Sequence, residues 1–489
     1  MIKFTHMKGF PWLLCAMVAA ALCSVSCKKD KTSGSLWFER PALYMTEGQA
    51  AEVRFAGSEV DLASAWVSSS PSGWTVKVDH AARTLSVTAP AADADDAAAS
   101  GSVTLRANST GGGTAASAVL FVGLTRTVDL SDSPANCYLV REKEVNYTFD
   151  ATLAGDGTTT IATTKVALIW QSRASLVQYL TFDGGKVSFY IGASDDDDSR
   201  IKDGNALIGA YDASGALVWS WHVWAADYDP EAEGGTVAFG NYRMMSRNLG
   251  ARAESDASAA DILASYGLYY QWGRKDPFIG PAAYDAAGSI SATIYNSGGK
   301  SVSVQVAASS AEVGTMAYAT AHPLTFITAE KDADWLDASA ADGTVRWSAD
   351  EKTLYDPCPY GWRVAPAAAY EGLTIADDLA GDNETLAELY RTKFSWTLTD
   401  AATTARSLFF GAGRRSYRDA SLQNYYDESL PSRVVVPEMQ PWVGYYWTAD
   451  AGSAFCFWVR VDDVAESGVR NGRVMGRANG MQVRCVAVE

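Results

Sequence analysis

Few side chains in this chain could carry chemistry. Beyond His6 there are His80, His222 and His322, and any Ser/His/Asp or Cys/His site has to use one of them. His80 falls on a loop, His222 among tryptophans in an apolar strand, and His322 just before Pro323. None stands at a metal-ligand spacing, and HExxH, GxSxG and phosphate-cradling glycine loops are absent, so all three are expected to be structural. The run Asp195-Asp196-Asp197-Asp198 offers the hard oxygens that calcium prefers, but it lacks the spaced ligands of a calcium loop and reads as a solvated turn. Cys456 lies in Ala454-Phe455-Cys456-Phe457-Trp458-Val459, an apolar strand in which a thiol is ordinarily inert. No catalytic residue, metal site or cofactor is expected. Aromatic side chains are the remaining lead. Tyr425, Tyr426 and Trp442 fall in irregular segments containing Pro and Gly, near Arg414, Arg415 and Arg418, the kind of surface that stacks on sugar rings or anchors a protein partner.

The elements that must position such a surface are organised around Tyr355-Asp356-Pro357-Cys358-Pro359-Tyr360-Gly361-Trp362-Arg363-Val364. Proline fixes φ and removes a backbone donor, so Pro357 and Pro359 exclude helix and hold Cys358 on a rigid turn before Trp362 enters the core. That geometry suits a disulfide. Cys485 sits in an alternating strand, and a bridge to it closes a loop of 127 residues. By the chain-entropy account such a loop stabilises by roughly 4 to 5 kcal/mol. Cys137, Cys358, Cys456 and Cys485 together allow three connectivities. We expect Cys358 with Cys485 and leave Cys137 and Cys456 open.

The proline-flanked motif, Val483-Arg484-Cys485-Val486, Met245-Ser246-Arg247-Asn248-Leu249-Gly250, the stretch from Tyr266-Gly267-Leu268 to Lys275-Asp276-Pro277-Phe278, and Gly444-Tyr445-Tyr446-Trp447-Thr448-Ala449 resemble the Fibrobacter succinogenes major paralogous domain, abundant in envelope lipoproteins of Bacteroidota. The resemblance spans 236–489. It implies a loop-rich α+β fold like that of C-type lectins and formylglycine-generating enzymes, and no particular ligand. The Glu-Pro-Asn and Gln-Pro-Asp triplets of calcium-dependent lectins do not occur here, so that mechanism is not carried over.

At 489 residues, the length suggests about three domains. Fifty-seven acidic against 40 basic residues give a formal charge of −17, which repels nucleic acid and anionic headgroups. Lys3 and Lys8 precede an apolar run, 10–22, too short for a permanent span, and 1–26 reads as an export signal. Cys27 then becomes the lipidated first residue, with Ser24 where a lipobox usually has leucine. Residues 27–35 form a basic tether. Short alternating runs make 36–124 an immunoglobulin-like β-sandwich, with a weaker likeness to BACON spacers, and 125–230 a second β domain. Helices are expected over 256–266 and 374–393. The whole reads as a mainly β, multidomain, non-catalytic outer-membrane lipoprotein, displayed at the cell surface or facing the periplasm. Its C-terminal domain is expected to bind a glycan or an envelope or host protein in adhesion. The alternatives are a fimbrial tip subunit with pilin partners, or an envelope enzyme of formylglycine-generating-enzyme-like fold.

Overall fold

The computed structural model describes residues 34–281, 283–284, 290–331, 333–340, 343–375, 395–423, 442–459 and 468–488. Strands dominate throughout, and the described helices are short.

In the first segment the strands are β1 (Ser35–Phe38), β2 (Ala42–Met45), β3 (Ala50–Ser58), β4 (Val60–Ser69), β5 (Thr75–Asp79), β6 (Thr84–Thr88), β7 (Ser100–Ser109) and β8 (Ala116–Leu124). They form two four-stranded sheets, β1-β3-β6-β5 and β2-β8-β7-β4. Period-two alternation turns Val53, Phe55, Leu85, Val87, Val103, Leu105, Leu120 and Val122 into the gap between the sheets, each at most 3% exposed. The β5–β6 hairpin turns on Asp79, whose Oδ1 accepts from the backbone N–H of Ala81 and Ala82 at 2.9 Å.

The second segment contributes β9 (Thr127–Asp129), β10 (Cys137–Val140), β11 (Val145–Asp150), β12 (Lys165–Gln171), β13 (Gln178–Asp183), β14 (Lys186–Ile191), β15 (Gly204–Tyr211) and β16 (Leu217–Ala225). One sheet runs β13-β14-β11-β9. β15 and β16 make the hairpin expected from their sequence, closed by Asp212 Oδ1 accepting from Ser214 N–H at 2.8 Å and Ala216 N–H at 3.0 Å. β16 is apolar on both faces because it divides two cores. Trp219, Trp221 and Val223 face one, and Trp224 faces the other.

The third segment holds many small ladders. Its elements are β17 (Thr236–Phe239), β18 (Tyr242–Met245), α1 (Ala259–Ser265), β19 (Tyr270–Gln271), β20 (Ala283–Tyr284), β21 (Ile290–Ser291), β22 (Ile294–Tyr295), β23 (Ser301–Val302), β24 (Gln305–Ala308), α2 (Met316–Ala321), β25 (Thr325–Thr328), β26 (Trp362–Val364), β27 (Leu373–Ile375), β28 (Ser395–Asp400), β29 (Arg406–Phe410), β30 (Arg414–Arg415), β31 (Leu422–Gln423), β32 (Trp442–Trp447), β33 (Ser453–Val459), β34 (Gly468–Val474), β35 (Gly480–Met481) and β36 (Cys485–Ala487). α1 is capped by Ser258, whose hydroxyl oxygen accepts from Asp261 N–H. The helix expected over 374–393 lies mostly outside the described residues, and Thr374 and Ile375 pair in β27 instead. A Gly- and Ser-rich insert, 288–313, whose sequence reads as short strand and loop, contributes β21 to β24.

A boundary near residue 230 divides the sequence but not the packing. β22 and β23 extend the second segment's other sheet, whose order is β10-β16-β15-β12-β22-β23. One hydrophobic core joins Cys137, Trp170, Leu207 and Trp224 to Trp362, Tyr445, Trp447 and Cys485. Each segment's apolar face is therefore covered by the other, and the two fold around shared side chains.

Candidate functional site

The proline-flanked turn is held by Asp356, which has no exposed surface. Its Oδ1 accepts from Cys358 N–H at 2.8 Å and its Oδ2 from Val364 N–H at 2.9 Å. Lys352 Nζ donates to the same Oδ1 at 3.1 Å, and also to the carbonyls of Cys358 and Trp362 at 2.8 and 2.7 Å. Asn136, from the second segment, donates to the carbonyls of Leu354 and Asp356 at 2.7 and 2.9 Å. The turn thus presents Cys358 to Cys485, and the two are joined by a disulfide with Cα atoms 6.1 Å apart. Val364 lies opposite Cys485 in the sheet β17-β18-β36-β26.

Three buried arginines brace the surrounding strands. Arg274 donates to Gln271 Oε1 and to the carbonyls of Thr325, Ala319 and His322. Arg484 donates to Asn248 Oδ1 at 2.9 Å, Ser407 Oγ at 3.0 Å and the Leu408 carbonyl. Arg415 donates to the carbonyls of Ile279 and Ala420. Arg415 was expected to meet a ligand. Instead it is 8% exposed and its donors are occupied by backbone, because two loops whose carbonyls lack strand partners converge on it.

Of the other expected contacts, Tyr425 and Tyr426 lie outside the described residues, and for Trp442 only its backbone in β32 is described. Arg414 is where a contact could form. A bridge between Gly413 and Gly444 brings β30 beside β32, and Tyr445 lies opposite Cys456, which in turn lies opposite Arg470. The Arg414 and Arg473 guanidinium carbons stand 5.4 and 5.9 Å from the Tyr445 ring centre. Arg414, Arg470 and Arg473 also face the Cys456 thiol. None of the three is ion-paired to a described carboxylate, and Arg414 Nε is buried without a hydrogen-bond partner. This shelf of three cations over a buried Tyr-Cys pair was missed from sequence. Arg470 and Arg473 are 56 and 59 positions beyond Arg414, and only the pairing of β32, β33 and β34 unites them.

Burial pushes the Cys456 thiol up to about 12, so it is held protonated at neutral pH. Cys137 is also free and wholly buried. In a soluble chain beginning at residue 28, native protein is expected to give almost no reaction with a thiol-specific dye, and denatured protein two thiols per chain. Rapid labelling of native Cys456 would contradict its enclosure.

Two other buried polar groups are spent on structure. Lys275 Nζ donates to Asp276 Oδ1 at 2.7 Å, to Ser220 Oγ at 2.5 Å and to the Ser220 carbonyl at 2.9 Å, with both charged side chains at most 3% exposed. The Ser-Lys-Asp contact ties β16 to the loop after β19. His222 Nε2 is 2.9 Å from Asn205 Oδ1, and the network makes it the donor. Burial lowers its pKa from 6.5 to about 3. The unfolded chain therefore takes up a proton that the folded chain refuses as pH falls from 6.5 towards 3. His222 thus lends stability at neutral pH that is lost through that window, at up to about 1.4 kcal/mol per pH unit. A His222→Gln chain is expected to be less stable at pH 7, with the deficit narrowing by about 2 kcal/mol at pH 5 in urea titrations. A constant deficit would remove His222 as the titrating group.

In the aspartate run, Asp195 pairs with Lys202 at 2.9 Å and Asp197 accepts from Ser199. Among the described residues no group of three His, Cys, Asp or Glu could hold a metal ion. No described helix is long and apolar enough to cross a membrane.

The mainly β architecture of packed sheets is the class that these elements define. No protein-family profile matches the chain, and no curated protein matches it. Among solved structures, 39% of the chain is similar to 96% of the D00-D0 domain of intimin, at 14% identity and a TM-score of 0.15. A further likeness relates 47% of the chain to 46% of the human desmocollin-1 ectodomain, at 8% identity and a TM-score of 0.15. Another relates 40% of it to 29% of an endo-fucoidan hydrolase of glycoside hydrolase family 107, at 10% identity and a TM-score of 0.15. Overlaps of this size transfer neither fold nor activity.

Proposed function

We propose that the chain is a non-catalytic envelope lipoprotein, anchored through Cys27, whose third segment is lectin-like and recognises a glycan or protein. The observation that carries this reading is the shelf of Arg414, Arg470 and Arg473 over Tyr445. Partly exposed guanidinium groups without carboxylate partners among the described residues, on strands braced by buried arginines and a disulfide, form a rigid polar surface suited to recognition. The expected aromatic contacts Tyr425, Tyr426 and Trp442 belong to the segment that leads into β32.

The test uses a soluble chain, 28–489, because the shared core means that 236–489 alone leaves apolar surface uncovered. Arrays of glycans and matrix proteins are probed beside an Arg414→Ala, Arg473→Ala chain with an unchanged melting temperature. Binding that weakens at least about tenfold, or 1.4 kcal/mol, supports the reading. Binding indifferent to the two substitutions places recognition elsewhere. No binding by either chain turns the weight to the fimbrial alternative, in which pilins copurify from envelopes.

A further inference from the structure

A cleft of about 600 Å³ lies where the first sandwich meets the sheet β13-β14-β11-β9. Small-molecule sites typically span roughly 300 to 1,000 Å³ and favour such junctions. Its floor follows from strand alternation. Tyr147, Phe149, Val187 and Phe189 turn into the core, so Asn146 and Thr148 of β11 and Ser188 of β14 face outward, with Thr181 of β13 beside Ser188. Asn146 donates to Thr127 Oγ1 at 3.0 Å and accepts from Ser188 Oγ at 2.7 Å, which fixes a row of short hydroxyl and amide groups.

Two aromatic side chains, Tyr44 and Tyr179, stand in the lining on the side of the first sandwich. Tyr179 sits at a register shift between β13 and β14 with φ +52, a conformation a bulky residue rarely adopts. The shift aims its ring against Phe121 of the first sandwich, the two stacked at 4.4 Å. The two cations in its lining are paired, Arg40 with Asp183 at 2.9 Å and Lys186 with Asp129, and Glu39 adds a further carboxylate.

We propose that this cleft binds a neutral oligosaccharide, independently of the shelf in the third segment. Aromatic faces suit the C–H face of a sugar ring, and short hydroxyl and amide side chains supply both donors and acceptors for its hydroxyls. Paired charges leave no free cation to select an acidic ligand. A peptide strand is disfavoured because the floor of the cleft is a sheet face, on which the backbone groups of β11 and β14 are already paired to their neighbours.

Maltotetraose, cellotetraose, laminaritetraose and mannotetraose, with a sialylated trisaccharide as charged comparison, are offered to the 28–489 chain in saturation-transfer NMR and calorimetry. At least one neutral tetrasaccharide is expected to bind with Kd of about 10 µM to 1 mM. Thr181→Trp, which fills the cleft without altering the core, is expected to weaken it at least about tenfold. Hydroxyl-radical footprinting of the unaltered chain, which needs no variant to fold, is expected to show Tyr44 and Tyr179 protected by that sugar. Absence of any neutral saccharide signal overturns the proposal. So does binding that leaves both tyrosines as reactive as before, or that a folded Thr181→Trp chain retains in full.

Discussion

Asp356→Ala is expected to destabilise the second and third segments by about 3 to 5 kcal/mol, the cost of removing one partner from a buried charged network. The change strands Cys358 N–H and Val364 N–H and takes a carboxylate from Lys352. Water cannot replace it, because Asp356 is wholly buried. Asp356→Asn keeps an acceptor at one of the two positions and is expected to lose about half as much. Urea unfolding of the three chains reads this directly, and a loss below about 1 kcal/mol for the alanine chain would show that the turn is held by its prolines alone.

Opening the Cys358–Cys485 bridge is expected to cost about 5 kcal/mol by the chain-entropy relation, since it frees a loop of 127 residues in the unfolded chain. The effect should be confined. The first sandwich has its own core, made only of residues from its own strands and turns, so its transition should not move. Unfolding followed with and without reductant therefore separates the parts. A reductant-sensitive transition that takes the second and third segments together supports their shared core, whereas a second segment that unfolds unaffected would contradict it. A Cys358→Ala, Cys485→Ala chain should match reduced protein.

The local signals in the sequence were legible where geometry is local. The β5–β6 and β15–β16 hairpins follow from alternation and from Asp79 and Asp212 at their turns. The position of β16 between two cores follows from its apolar character on both faces. Non-local pairing was not legible. Gln171 of β12 meets Tyr295 of β22, a contact within a Gly- and Ser-rich insert that carries little strand propensity. Arg414 and Arg415 are neighbours of the same type, yet one meets the surface and the other backbone carbonyls, because successive strand residues point to opposite faces. Residue type cannot say which. The Arg470 and Arg473 contribution depends on register across three strands, which a single sequence does not encode visibly.

Strand β36 completes the sheet β17-β18-β36-β26 from its interior, between strands laid down more than a hundred residues earlier. A chain that emerges N-terminus first can finish its first sandwich as it appears, but this sheet waits for its last strand. Cys137 and Cys456 both precede Cys485 in the chain, so two other thiols are made before the partner of Cys358. Seating β36 and closing the Cys358–Cys485 bridge are therefore one event, the last in the order of synthesis, and any bond made earlier to another thiol has to be exchanged before that strand can seat.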